Sequence, residues 1–252
     1  MTVSAGNGAR LAATPLAGGG TPVKDWLGAD RLPELDLREC PRLVVVAPHP
    51  DDETLGLGAT MAQLAARGVE VTVVCVTDGA AAYPSLSAKE RTLLEVARSD
   101  ELHAATSTLG LAPPISLGLP DGEVADHEHR LAALLTAILG EKGPGTWCAA
   151  TWRGDGHPDH EAVGRAASTA ADATAGVLVE YPVWMWHWAT PGDSAVPWER
   201  GFSVPLTPQA VERKQQAAQC FRSQFSSYAD VPPLLPAFVL PRLLAVGEVL
   251  FR

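Results

Sequence analysis

Residues 43–68 read LVVVAPHPDDETLGLGATMAQLAARG, and their reading decides the fold. Four consecutive apolar residues, Leu43, Val44, Val45 and Val46, form a strand without polar alternation, the pattern of a strand buried on both faces. From Thr54 to Arg67 the apolar residues recur with helical spacing, and Gly68 supplies a stop. Between strand and helix lies His49-Pro50-Asp51-Asp52-Glu53, one imidazole and three carboxylates on a short turn. Pro48 and Pro50 stiffen that turn. The exit of a buried strand is where open α/β sheets hold their ligands.

Outward from this unit the same alternation continues. Residues 69–77 (VEVTVVCVT) read as a second strand ending in Asp78-Gly79, a turn at a strand exit. Ser87, with Glu90 three residues on, makes a capping box for a long helix that carries Glu95, Arg98 and Glu101 and stops at Leu109-Gly110. Residues 115–119 form a short apolar piece broken by Pro120-Asp121-Gly122-Glu123, and a helix follows over about 126–139. Residues 146–151 (TWCAAT) are another buried strand, followed by a loop running to His160, an alanine-rich helix reaching about Thr174, and a strand over 177–181. Strands alternating with helices of this length imply a Rossmann-like, three-layer αβα sandwich around a mostly parallel sheet. Beyond Pro182 the pattern breaks: Trp184, Met185, Trp186, His187 and Trp188 crowd together, and one further helix lies at about 208–222. Residues 1–40, rich in Gly, Ala and Pro, read as a tail or strap, and 41–252 as the folded domain.

The 252 residues carry 19 Lys+Arg against 29 Asp+Glu, a net charge of −10 that argues against nucleic acid and anionic membrane as partners. Cys40, Cys75, Cys148 and Cys220 are far apart and form no CxxC pair, which implies a reducing compartment. No run approaches the roughly 18 apolar residues of a membrane span, and the N-terminus has neither a basic region nor an uninterrupted apolar core of a leader. The expected location is the cytoplasm.

If the strands before His49 and before His157 are parallel members of one sheet, their loops face the same edge and meet in space. One loop offers His49, Asp51, Asp52 and Glu53; the other offers Asp155, His157, Asp159 and His160. Such a pool supplies the three His or carboxylate ligands of a catalytic zinc, or of another divalent ion such as iron(II), with a position left for water. Magnesium would prefer an all-oxygen site.

Motif for motif the chain resembles the LmbE-like deacetylases, also called the PIG-L family. The resemblance rests on His49-Pro50-Asp51-Asp52-Glu53, Thr77-Asp78-Gly79, Arg98-x-x-Glu101 with Leu109-Gly110, Leu119-Pro120-Asp121-Gly122, and His157-Pro158-Asp159-His160. It implies a zinc enzyme that removes an N-acetyl group from an N-acetylglucosamine-type unit of a small conjugate, releasing acetate and a free amine. It also implies His49, Asp52 and His160 as metal ligands, Asp51 as general base, His157 as the group that stabilises the oxyanion, and Asp159 as the carboxylate that orients His157 and keeps it charged. Asp78 and Asp121 either cap turns or reach substrate hydroxyls. Arg98 either pairs with Glu101 on an exposed helix face or contacts the sugar. Glu53 belongs to the first helical turn or supports the site, and Asp155 reads as a loop residue. Three alternatives stand beside the deacetylase: an amidase acting on a thiol conjugate, a metal-dependent phosphoesterase, and a sugar-binding protein without turnover. A phosphoesterase wants a second metal or a cationic clamp, and Arg153 is the only basic residue in either loop. Binding alone would not require a free acid at Asp51.

Overall fold

Leu43 and Val45 enter one side of the central sheet and Val44 and Val46 the other, as the two-residue period of a strand requires, and both sides are fully covered. The computed structural model describes residues 6–83, 86–227 and 233–252. Its strands are β1 (Arg42–Ala47), β2 (Glu70–Thr77), β3 (Ile115–Leu119), β4 (Trp147–Thr151), β5 (Val177–Tyr181), β6 (Gly201–Ser203) and β7 (Val249–Phe251). They form one sheet in the order β3-β2-β1-β4-β5-β7-β6. The first five are parallel, and β7 runs antiparallel to both β5 and β6.

The helices, in chain order, are α1 (Asn7–Ala12), α2 (Val23–Leu27), α3 (Asp52–Ala66), α4 (Ala88–Thr108), α5 (Glu128–Lys142), α6 (Pro158–Thr174), α7 (Met185–Trp188), α8 (Pro208–Ala218), α9 (Arg222–Phe225) and α10 (Val239–Val246). Leu57, Met61 and Leu64 of α3, Leu102 and Ala105 of α4, and Ala217 of α8 pack on the Leu43/Val45 side. Leu131, Leu135 and Leu139 of α5 and Val163, Ala166 and Ala170 of α6 cover the other. These layers make the three-layer α/β sandwich. No helix among the described residues is long and apolar enough to cross a membrane.

The order of the parallel strands reverses between β1 and β4, so the crevice above these two strands is the switch point of the sheet. The loops after β1 and after β4 therefore open side by side. The capping box at Ser87 is present: the Ser87 hydroxyl accepts from Glu90 N at 3.4 Å, and Ser87 N donates to the Glu90 carboxylate at 2.8 Å. Helix α3 departs from ideal geometry at Leu57 (φ −134°, ψ 17°), which frees Ala59 N and Thr60 N to donate to the buried Glu248 carboxylate at 2.8 and 2.7 Å. Lys214 Nζ completes that buried ion pair at 2.8 Å, tying α3 to α8 and to the residue before β7.

Several elements go beyond the sequence reading. Strands β6 and β7 extend the parallel sheet with an antiparallel edge, and α10 packs beside the tryptophan-rich segment. Met185, Trp186 and Trp188 are buried in that cluster together with Trp26. Of the N-terminal stretch, residues 1–5 lie outside the described residues; Trp26, Leu35, Leu37 and Cys40 are buried in the apolar clusters of the domain.

Candidate metal centre

The turn after β1 is held by Thr77 and by Arg98. Thr77 at the end of β2 donates from both its N and its Oγ1 to Pro48 O, each at 2.9 Å. Arg98 on α4, buried in the core, donates Nη2 to Pro50 O and Nη1 to Gly79 O, both at 2.8 Å, and so staples the two strand exits together. Gly79 is required for this: its φ is +69°, and a Cβ there would stand 2.2 Å from Arg98 Nη1. Arg98 thus does not pair with Glu101 on an exposed face, because Glu101 accepts instead from Ser223 N and Oγ at 2.8 and 2.7 Å.

Asp51, the N-cap of α3, has φ 134° and ψ −32°, a sparsely populated conformation for a residue with a side chain that costs on the order of 1–3 kcal/mol. Glu53 supports it: Glu53 Oε2 accepts from Asp51 N at 3.1 Å and Oε1 from the Thr54 hydroxyl at 2.6 Å. Burial raises the Glu53 carboxyl to about 7, against those two hydrogen bonds. The strained backbone turns the Asp51 side chain into the cavity, where it stands 3.7 Å from Arg98 Nη2. Burial pushes its carboxyl up to about 8, with the Arg98 charge opposing.

The loop after β4 organises around Asp155, a fully buried carboxylate with four donors. Oδ1 accepts from Val183 N at 3.0 Å and Met185 N at 2.9 Å; Oδ2 accepts from Trp184 N at 2.9 Å and from His160 Nδ1 at 2.8 Å. The bond to Nδ1 leaves His160 Nε2 as the free nitrogen. His157 caps α6, its Nδ1 accepting from Asp159 N at 3.3 Å, which assigns the ring proton to Nε2. Asp159 makes its hydrogen bonds outside its own loop. Its carboxylate accepts from Gly122 N at 2.8 Å and Val124 N at 3.2 Å and contacts His49 Nε2 at 3.2 Å, with no hydrogen bond to the His157 ring. Placed one residue into α6 beyond Pro158, it projects toward the loop after β3 instead of back at its own cap. Burial, then the charges of His160 and His49, push the His157 imidazole down to about 3, with the Asp52 and Asp159 carboxylates opposing.

Three donor atoms converge between the loops. Asp52 Oδ2 lies 3.1 Å from His49 Nδ1 and 3.3 Å from His160 Nε2, and all three lie within 4.8 Å of one another. His160 Nε2 is fully buried yet makes no hydrogen bond. Tetrahedral bonds of about 2.0–2.1 Å would put ligand atoms about 3.3 Å apart, so this spacing and the orphaned nitrogen fit a zinc ion. His49 Nε2 is braced from behind by Asp121 Oδ1 at 3.1 Å and by Asp159, in the manner of carboxylates that orient metal-bound imidazoles. The Asp52, Asp121 and Asp159 carboxylates all contact His49, and with Asp51 they concentrate carboxylates at a place where a divalent ion would find them. Donor atoms of His49, His157 and Asp159 also lie within 4.8 Å of one another.

A cavity of about 360 Å³ opens from these residues, lined by His49, Asp51, Asp52, Arg98, Asp121 and His157 on one side and by Trp184, Trp186 and residues of α10 on the other. Asp121 reaches the cavity, but its Oδ2 accepts from Ala81 N at 2.7 Å, so it shapes the loop after β2 as well. Asp78 does not line the cavity; its Oδ1 accepts from Ala80 N at 3.0 Å and closes its own turn. Part of the loop after Gly79, residues 84 and 85, lies outside the described residues. The sequence reading missed Asp155 as the partner of His160, for which an acid five residues before a candidate ligand, on the same loop, was the available signal; of the two readings of Glu53, the structure shows the support of Asp51.

The family model described as GlcNAc-PI de-N-acetylase (PIG-L) matches residues 44–171. The 1D-myo-inositol 2-acetamido-2-deoxy-alpha-D-glucopyranoside deacetylase of Mycolicibacterium gilvum is 32% identical over 185 residues, covering 63% of this chain and 62% of the relative. The chain thus spans less than two thirds of that relative's length. Among solved structures, the conserved protein TT1542 from Thermus thermophilus superposes with a TM-score of 0.54 at 27% identity, over 73% of this chain and 80% of that one. N,N'-diacetylchitobiose deacetylase from Pyrococcus horikoshii superposes with a TM-score of 0.60 over 75% of this chain and 72% of that one, and at 23% identity shares the fold.

Proposed function

The chain belongs to the GlcNAc-PI de-N-acetylase (PIG-L) family, and on that premise we propose that it is a zinc-dependent hydrolase that removes the N-acetyl group from an N-acetylglucosamine-type unit of a small conjugate. The products are acetate and the free amine. The observation that carries this reading is the convergence of His49 Nδ1, Asp52 Oδ2 and the orphaned His160 Nε2 beside an acid, Asp51, that is buried in the same cavity and stands outside the ligand set. The acetamido-sugar substrate named for the Mycolicibacterium gilvum relative supports the substrate class.

His49, Asp52 and His160 would hold the ion. The chemistry zinc supplies in a set of three protein ligands is activation of water near neutral pH and polarisation of a carbonyl. The remaining work falls to the protein. Asp51 takes the proton of the attacking water and delivers it to the departing amine, from a position in the same cavity outside the ligand set. Arg98 and Glu53 hold the strained turn that presents it. His157 donates its Nε2–H to the oxyanion of the tetrahedral intermediate. Asp155 fixes the His160 tautomer, and Asp121 and Asp159 fix His49.

The test is acetate release from a panel of N-acetylglucosaminides by the zinc-loaded protein and its Asp51→Asn variant. The reading expects release by the parent and a loss of about 10²- to 10⁴-fold in the variant, with zinc retained. Near-normal turnover by Asp51→Asn would refute the assignment of the base, and no release from any acetamido sugar would refute the activity.

A further inference from the structure

Arg242 on α10 lies outside residues 44–171 that match the family model, yet it lines the same cavity as the metal loop while only 5% exposed. Three Lys or Arg residues are buried among the described residues. Lys214 pairs with Glu248 at 2.8 Å, and Arg98 stands 3.7 Å from Asp51. Arg242 has no carboxylate partner among the described residues. Its Nη1 donates to Trp186 O at 3.5 Å and to His187 Nδ1 at 3.2 Å, its Nη2 donates to Gly19 O, and its Nε has no partner. Every one of these acceptors is neutral. His187 donates Nε2–H to Thr14 O at 3.0 Å, so the nitrogen it turns to Arg242 carries a lone pair and no compensating charge.

A guanidinium taken out of water without a counter-charge is costly, and a protein that retains one beside a cavity gains when a ligand supplies the missing anion. The surroundings restrict that ligand further. Leu16, Val183, Trp184, Leu235, Val239 and Leu243 give the cavity a largely apolar lining, with Gln224 among its polar members. From this juxtaposition, and resting on the deacetylase reading above, we propose that the substrate's aglycone is an apolar body carrying one carboxylate, and that Arg242 reads that carboxylate. Metal chemistry and charge recognition within one cavity then select one amphiphilic conjugate.

The experiment compares three N-acetylglucosaminides on the zinc-loaded full chain: the 8-carboxyoctyl glycoside, its methyl ester and the nonyl glycoside. The parent should favour the acid over the ester by about tenfold or more in kcat/KM, chiefly through KM, as one charge-assisted contact gives. Arg242→Met should bring the two within about twofold while leaving turnover of the ester in place, and Arg242→Lys should keep part of the preference. A parent that treats acid and ester alike overturns the proposal even if Arg242→Met fails to fold. So does a preference that survives in Arg242→Met, since a merely structural arginine would not set a charge preference. Calorimetric binding of the same three glycosides to the Asp51→Asn protein separates the two readings. Charge-selective binding without acetate release from any of them refutes the deacetylase and keeps the proposal; acetate release without charge selectivity does the reverse.

Discussion

Asp155→Asn changes one atom of a side chain that holds both the metal loop and the turn before α7. The carboxylate accepts four hydrogen bonds, two on each oxygen: Val183 N and Met185 N on Oδ1, Trp184 N and His160 Nδ1 on Oδ2. An amide has one accepting oxygen, so whichever way the substituted side chain turns, two buried donors face an NH₂. At about 1–3 kcal/mol for each unsatisfied group, the folded protein loses about 2–6 kcal/mol. In a chain of this size that corresponds to a fall in Tm of roughly 5–20 °C. If the amide turns its NH₂ to His160, the imidazole proton must move to Nε2, the nitrogen assigned to the metal. The loss of such a supporting carboxylate lowers metal affinity by about 10- to 100-fold. Thermal unfolding of the metal-free protein reads the first effect, and zinc competition against a chromophoric chelator reads the second. A variant with unchanged Tm and unchanged zinc affinity would refute the reasoning.

His157→Ala should fold, keep zinc and lose about 10²- to 10³-fold in kcat for acetate release; loss of zinc would instead place His157 among the ligands, in the set with His49 and Asp159. Lys214→Met leaves Glu248, 0% exposed at its side chain, without its counter-ion, and urea unfolding should show a loss of about 3–5 kcal/mol; a change below about 1 kcal/mol would refute the role of that pair. The Arg10–Asp193 ion pair ties α1 to the segment after α7, and the Arg10 hydrogen bond holds the Asp193 carboxyl below its ordinary 3.8. A depressed carboxylate stabilises above its unfolded pKa and loses that contribution as pH falls through the folded value. Amide protection in α1 should therefore be full above about pH 4 and fall below it, and Asp193→Asn should lower it at neutral pH and flatten the profile; identical profiles for parent and variant would refute the link.

The fold was legible where burial is written into consecutive residues. Val44, Val45 and Val46 could only be a strand covered twice, and the capping box at Ser87 and Glu90 marked a helix start that the structure keeps. The antiparallel edge was not legible. Strands β6 and β7 are three residues each, too short for a period, and Gly201 and Phe251 pair only because the tertiary fold brings them together. At the site, the two acid- and histidine-rich loops announced themselves by composition. The bonds behind them did not. Arg98 with Glu101 has the spacing of a surface pair, and nothing local says that Arg98 turns inward to Pro50 O and Gly79 O. Asp159 follows His157 closely enough to suggest contact, yet helix α6 aims its carboxylate at Gly122 and Val124. Arg242 sits far from every motif, and only the folded chain brings it to the cavity.

The central claim is that catalysis depends on one ion held by His49, Asp52 and His160. The most direct measurement strips the protein with a chelator, titrates zinc back and follows bound metal and acetate release together. The account predicts that activity is absent without metal and rises in proportion to occupancy up to one equivalent, and that His160→Ala binds little zinc over the same range. Full acetate release by the metal-free protein, or normal zinc occupancy in His160→Ala, would contradict it.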